Sequence, residues 1–238
     1  MMENQDLINL YAQQSLRYTA DEDYIAARMS YKAGLIEPFL WSGLHSIEKY
    51  LKALLLFKKR PAKGFKHNIV KLLSAVNAVE GLDLRLPAKA KSFIHYINGF
   101  GENRYFEGAA CIEECALDSL DEVVWYIRRH CHDESAYEGY NLRKIELADF
   151  EKNPKEYRLS GGLLEKIIKE KPIAYSYLVW DNFFYGDENI ERDGIRRRQS
   201  KFSVINPALA FFGKEAFEAL KDFVDLSCDT KQYFKERA

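Results

Sequence analysis

The stretch that decides the fold is residues 36–55, IEPFLWSGLHSIEKYLKALL. Ile36, Phe39, Leu40, Gly43, Leu44, Ile47, Tyr50, Leu51, Leu54 and Leu55 follow a three-four spacing over about five turns, which is one apolar face of a long α-helix. The helix runs into Lys58-Lys59-Arg60-Pro61-Ala62-Lys63-Gly64, where proline and glycine together mark a loop. On the N-terminal side, Thr19 to Glu22 fits a capping box opening a helix that stops near Gly34. On the C-terminal side, three more amphipathic segments follow. One runs from about His67 to Val79 on Ile69, Leu72, Leu73 and Val76. One starts after Pro87 with Ala90, Phe93, Ile94, Ile97 and Phe100. One runs from about Glu107 to Cys131 with Ile112, Ala116, Leu120, Val123, Val124 and Ile127. Nothing here alternates with period two, so no sheet is expected before residue 132. Such stripes are buried only against one another, and the expected class is all-α, an up-and-down helical bundle.

Residues 133–238 are read as a mostly helical extension, packed on the bundle of residues 1–132 or forming a small second domain. Leu163, Leu164, Ile167 and Ile168 give a short helix ended by Pro172. Residues 173–185 carry Tyr175, Tyr177, Trp180, Phe183, Phe184 and Tyr185; their β propensity competes with a helical reading, and helix is preferred. Residues 186–203 read as a charged loop. Asn206-Pro207 reads as the start of a helix carrying Leu209, Phe212, Ala216, Leu220 and Phe223 to about Leu226.

Composition excludes several classes. The 238 residues hold 35 Lys+Arg against 36 Asp+Glu, so contact with a polyanion has to come from a local patch. The longest apolar runs, Ala53 to Phe57 and Val123 to Ile127, fall far short of the roughly 20 residues of a membrane span. The opening MMENQDL has neither a basic nor an apolar region of the secretory type, and a cytoplasmic location is expected. The 4 cysteines form no Cys-x-x-Cys pair and are read as reduced thiols. Cys111 and Cys115, four apart, with His130 and His132 downstream, admit a zinc site; the same spacing is that of a helix core face, which is preferred. No metal or cofactor is expected.

Two groups of residues carry a family resemblance. Asp23-Tyr24-Ile25-Ala26-Ala27-Arg28, then a glycine, then Ser46-Ile47-Glu48-Lys49-Tyr50-Leu51-Lys52-Ala53-Leu54-Leu55, resemble the first two helices of a HEPN domain. His67 before Leu72-Leu73 is similar to the opening of that family's third helix, and Asn103-Arg104-Tyr105 to the element before its last long helix. The resemblance covers about residues 5–132. It implies a helical bundle that usually dimerises, and an association with nucleotides, RNA or a partner nucleotidyltransferase in a toxin–antitoxin or defence-like context. Many members are metal-independent endoribonucleases with an arginine and, five positions on, a histidine. Such chemistry needs a cation at the phosphate and a proton-transfer group near neutral pKa. Here Arg104 is present, but Ala109 stands where the histidine would be, and alanine moves no proton.

The candidate ligand-binding residues are therefore Arg104, the basic loop Lys58, Lys59, Arg60, Lys63, Lys66 and His67, and the helical pair Glu48 and Lys52. The loop is either a phosphate-facing patch or a solvated turn, and Glu48–Lys52 either part of a polar groove or an ordinary surface pair. A second candidate patch is Arg128 and His132 with Arg196, Arg197 and Arg198. His45 and His95 lie beside apolar faces and are read as packed or surface residues. The aromatic run 175–185 is read as core rather than a base-stacking platform. Three functions follow: a non-catalytic nucleotide- or RNA-binding accessory protein, an endoribonuclease with a displaced site, or a protein-interaction and oligomerisation module. The first is preferred.

Overall fold

The long amphipathic helix forms at Ile36–Phe57 (α3) and is the axis of the molecule, its apolar positions from Phe39 to Leu55 buried. Pro38 sits in its first turn, where a backbone N–H has no partner to lose. The computed structural model describes residues 4–82, 84–100, 110–113, 115–132, 159, 162–186, 202–205, 208–226 and 228–236.

Ahead of α3 the chain is one continuous helical rod: α1 (Asn4–Tyr11), a π-helical segment (Ala12–Tyr18) and α2 (Thr19–Lys32). Thr19 is not the helix start that the capping-box pattern suggests. Tyr18 and Thr19 both have right-handed helical backbone, and the Thr19 hydroxyl donates back to the Ser15 carbonyl at 2.7 Å. A threonine with a preceding turn to bond has no need to cap. The stop at Gly34 does form, with φ +74° and the Leu35 N–H closing on the Ser30 carbonyl at 2.8 Å.

Helix α4 (Ile69–Asn77) starts two residues later than His67, because the Asn68 side chain accepts the Lys71 N–H at 2.9 Å. Helix α5 (Ala88–Asn98) follows Pro87 and buries Ala90, Phe93, Ile94 and Ile97. The last bundle helix is shorter than its stripe: α6 covers only Ala116–Arg128. Ala110–Glu113 is instead a strand (β1), paired antiparallel with Phe202–Ile205 (β2), Ala110 opposite Ile205 and Glu113 opposite Phe202. The expectation of no strand before residue 132 is thus corrected. A four-residue strand is too short to show an alternation, and its partner lies some ninety residues downstream. Cys111 in β1 and Cys115 in the turn before α6 consequently share no helix face, so the core-face reading of that pair also fails. With that small ladder as the exception, the fold is all-α.

In the extension, α7 (Leu163–Glu170) and α8 (Ile173–Val179) lie against the bundle, and Leu164, Ile167, Leu178 and Tyr185 belong to its core. The aromatic run is helical only to Val179; residues 180–186 turn back. Phe184 stacks on Trp125 at 5.3 Å and Tyr185 meets its edge at 5.2 Å. The helix read to about Leu226 is broken at Gly213, whose φ of +56° no helix interior holds, into α9 (Ala208–Phe212) and α10 (Lys214–Leu220). With α11 (Cys228–Lys235) they form a small separate cluster around Leu209, Ala216, Phe217 and Leu226. Asn206, Pro207 and most of the charged loop 186–203 lie outside the described residues.

Candidate functional site

Two polar systems are built into the bundle, one closed and one open. The closed system holds two arginines inside. Arg28 on α2 donates to Asp121 on α6, to the Tyr177 carbonyl at 2.8 Å and to the Trp180 carbonyl. The Tyr24 hydroxyl also donates to Asp121, at 2.6 Å, and accepts from the Asn182 amide at 2.9 Å. Arg128, at the end of α6, is bidentate to Asp21 at 2.7 and 2.8 Å and bidentate to Glu165 of α7 at 2.7 and 2.8 Å. Tyr50 donates to the same Asp21. Burial raises the Tyr24, Tyr50 and Tyr185 hydroxyls well above their ordinary range, so all three stay protonated donors.

These contacts correct the second candidate patch. Arg128 is 1% exposed with its charge already matched by two carboxylates, and His132 is also buried. A phosphate reaches neither. Arg196, Arg197 and Arg198, the other members of that patch, lie outside the described residues, as do Arg104 and Ala109.

The open system is on the opposite flank of α3. His45 and Glu48 stand three apart on that helix, and His67 reaches them from the loop before α4. His67 Nδ1 lies 3.0 Å from Glu48 Oε2. An ionised carboxylate only accepts, so Nδ1 carries the proton in this contact. Lys52, one turn on, donates to Glu48 Oε1. Glu48 is therefore a buried carboxylate with both oxygens engaged, not an ordinary surface partner for Lys52. The Trp41 ring covers His45 with centroids 4.3 Å apart, and Lys49 pairs with Asp23 of α2 at 2.7 Å. Burial lowers the His45 pKa against the pull of the nearby Asp23 and Glu48 charges, so its imidazole is neutral at pH 7.

Beside this cluster runs the basic loop. Lys59, Arg60, Lys63 and Lys66 are exposed and ion-pair with no described residue. Lys58 closes the C-terminus of α3. Lys59 and Lys66 hold left-handed backbone, φ +56° and +50°, which non-glycine residues seldom adopt. Of the residues singled out from sequence, the structure thus brings Glu48, Lys52 and His67 together at the end of the basic loop. It adds His45, which the sequence reads as a packed or surface residue, and Trp41, Lys49 and Asp23, which the sequence did not single out as site residues. The one available signal was that His45 and Glu48 fall on one helical face.

Residues 13–115 match the family model of the HEPN domain. Neither the curated proteins nor the solved structures gave a match. The HEPN family is one of nucleotide- and RNA-related function generally. Among the described residues no helix is long and apolar enough to cross a membrane.

Proposed function

We propose that the chain is a non-catalytic accessory protein that binds a nucleotide or RNA through its phosphates. The observation that carries this is the placement of four exposed cations that ion-pair with no described residue, Lys59, Arg60, Lys63 and Lys66, in one loop ending at the polar cluster of His67, Glu48 and Lys52. In a chain of net charge −1 such a concentration is local, and phosphate binding needs only local charge. The cation at Arg104 belongs to the same proposal. The non-catalytic half of the reading rests on Ala109 and on the burial of Arg128 and His132.

The test is fluorescence anisotropy with a labelled RNA oligonucleotide and with a labelled adenine nucleotide at low salt. Wild type should bind, and a Lys59→Ala, Lys63→Ala, Lys66→Ala variant should bind at least about tenfold more weakly, each lost phosphate contact costing on the order of a kcal/mol. Equal binding by both proteins would remove the loop from the site. No binding by either would leave a protein-interaction module as the reading.

A homodimer through the bundle helices, acting in the cytoplasm beside a partner nucleotidyltransferase, completes the proposal. What supports the dimer is an exposed apolar stripe on the N-terminal rod, Leu7, Leu10, Tyr11 and Tyr18, with Leu7 51% and Tyr11 56% exposed. Light scattering should give twice the 27.7 kDa chain mass, and Leu7→Glu with Tyr11→Glu should return the monomer. A wild-type monomer at tens of micromolar ends the dimer proposal.

A further inference from the structure

We propose that His45, Glu48 and His67 form a binding site for one divalent transition-metal ion of the zinc type. The ligand-capable atoms of the three side chains all lie within 4.8 Å of one another. Zinc bound at about 2.0–2.2 Å in a tetrahedron keeps its ligand atoms roughly 3.4 Å apart. The His67 Nδ1 to Glu48 Oε2 separation of 3.0 Å is already of that size, so a metal ion would take the place of the proton between them. The third ligand needs only a small side-chain adjustment.

Three further features suit a metal rather than a simple hydrogen-bonded trio. His45 Nε2 is buried and hydrogen-bonds to no described residue, a state that costs free energy unless some partner is supplied. Lys52 holds the second oxygen of Glu48, leaving Oε2 for the ion in a fixed direction, as outer partners of metal-bound carboxylates do. Trp41 shields His45, while the His67 side chain is 38% exposed and leaves an entry path. Two imidazoles and one carboxylate select zinc-like ions over magnesium or calcium, which want oxygen. Three protein ligands leave one position for water or an incoming oxygen ligand. The site needs no nucleotide, so its test is independent of the phosphate-binding reading.

The experiment uses the full chain without a polyhistidine tag, stripped with chelator and dialysed. Zn²⁺ is titrated by calorimetry and Co²⁺ by visible absorption, with Mg²⁺ as a comparison. The expected result is one Zn²⁺ or Co²⁺ per chain, none of Mg²⁺, and the visible bands of four- or five-coordinate cobalt without a near-ultraviolet thiolate band. His67→Ala and Glu48→Gln should each weaken binding on the order of 100-fold, with the metal-free circular dichroism unchanged. His45→Ala should do the same, and since His45 is half-buried, the half-exposed His67 decides the matter if that variant misfolds. No metal uptake, undiminished binding in His67→Ala, or a thiolate band placing the ion on cysteine would each overturn the assignment.

Discussion

Arg128 is the residue on which sequence and structure differ most. In the sequence it is one of several cations near a helix end, and nothing local tells it from Arg129 beside it. In the fold it is inside, and its guanidinium saturates Asp21 and Glu165 at once. Removing one partner of a buried pair leaves uncompensated charge, which costs about 3–5 kcal/mol. Arg128→Met leaves two carboxylates behind and should fall at the upper end of that range in urea unfolding. Glu165→Gln, which keeps the Arg128–Asp21 pair and changes a side chain 18% exposed, should cost about 1.5–3 kcal/mol. Equal and small losses in both variants would show that Arg128 is solvated. Its partners stand 107 residues before it and 37 after it, a nonlocal match that no periodicity reveals. Glu48 was legible as half of a helical pair with Lys52, but its burial was not, because that depends on His67 folding back from the next loop.

At the scale of elements, the apolar stripes of α3, α4 and α5 were legible because each lies on one helix and reports its own buried face. The β1–β2 ladder and the docking of α7 were not, since both are decided by residues far away in the chain. Glu165 supplies the polar part of that docking. Burial pushes its carboxyl pKa up, but the Arg128 guanidinium and the Leu159 N–H outweigh this and hold it below its ordinary value of 4.5. A carboxylate with a depressed folded pKa adds stability that is complete above its unfolded value and is lost as pH falls through the folded one. Asp21, Arg128 and Tyr185 are the groups that face it. The attachment of α7 should accordingly be constant from pH 7 to about 5 and weaken below about 4.5. Limited acid proteolysis with pepsin should then open residues 159–186 before the bundle itself. Glu165→Gln should be cut there even at pH 5 and lose the pH dependence of this step. A wild-type cleavage rate in that segment independent of pH, after correction for pepsin activity, would rule the mechanism out.

For the whole molecule, near-neutral charge and one exposed cationic loop among the described residues mean that polyanion affinity through that loop is local and shallow. Affinity for single-stranded RNA should fall with salt at a log–log slope of about −0.7 per phosphate neutralised, so three or four contacts give about −2 to −3. Catalysis is a separate matter, because binding needs charge alone whereas cleavage also needs a group that moves a proton. The family's usual arrangement would set Arg104 at the phosphate and a histidine five positions on, and the residue there is Ala109. The nearest substitute, Arg128 with His132, is withdrawn into the core, both residues under 10% exposed. Wild-type protein in EDTA should therefore leave a labelled RNA uncut above background while still retarding it at low salt. Arg104→Ala should weaken that retardation, and His132→Ala should leave it unchanged once its folding is verified by circular dichroism. Robust wild-type cleavage in EDTA that Arg104→Ala abolishes would establish a ribonuclease and refute the non-catalytic reading. Cleavage lost only in a folded His132→Ala would mean that the α6 end opens far enough to admit RNA, against the closure that Asp21, Arg128 and Glu165 impose.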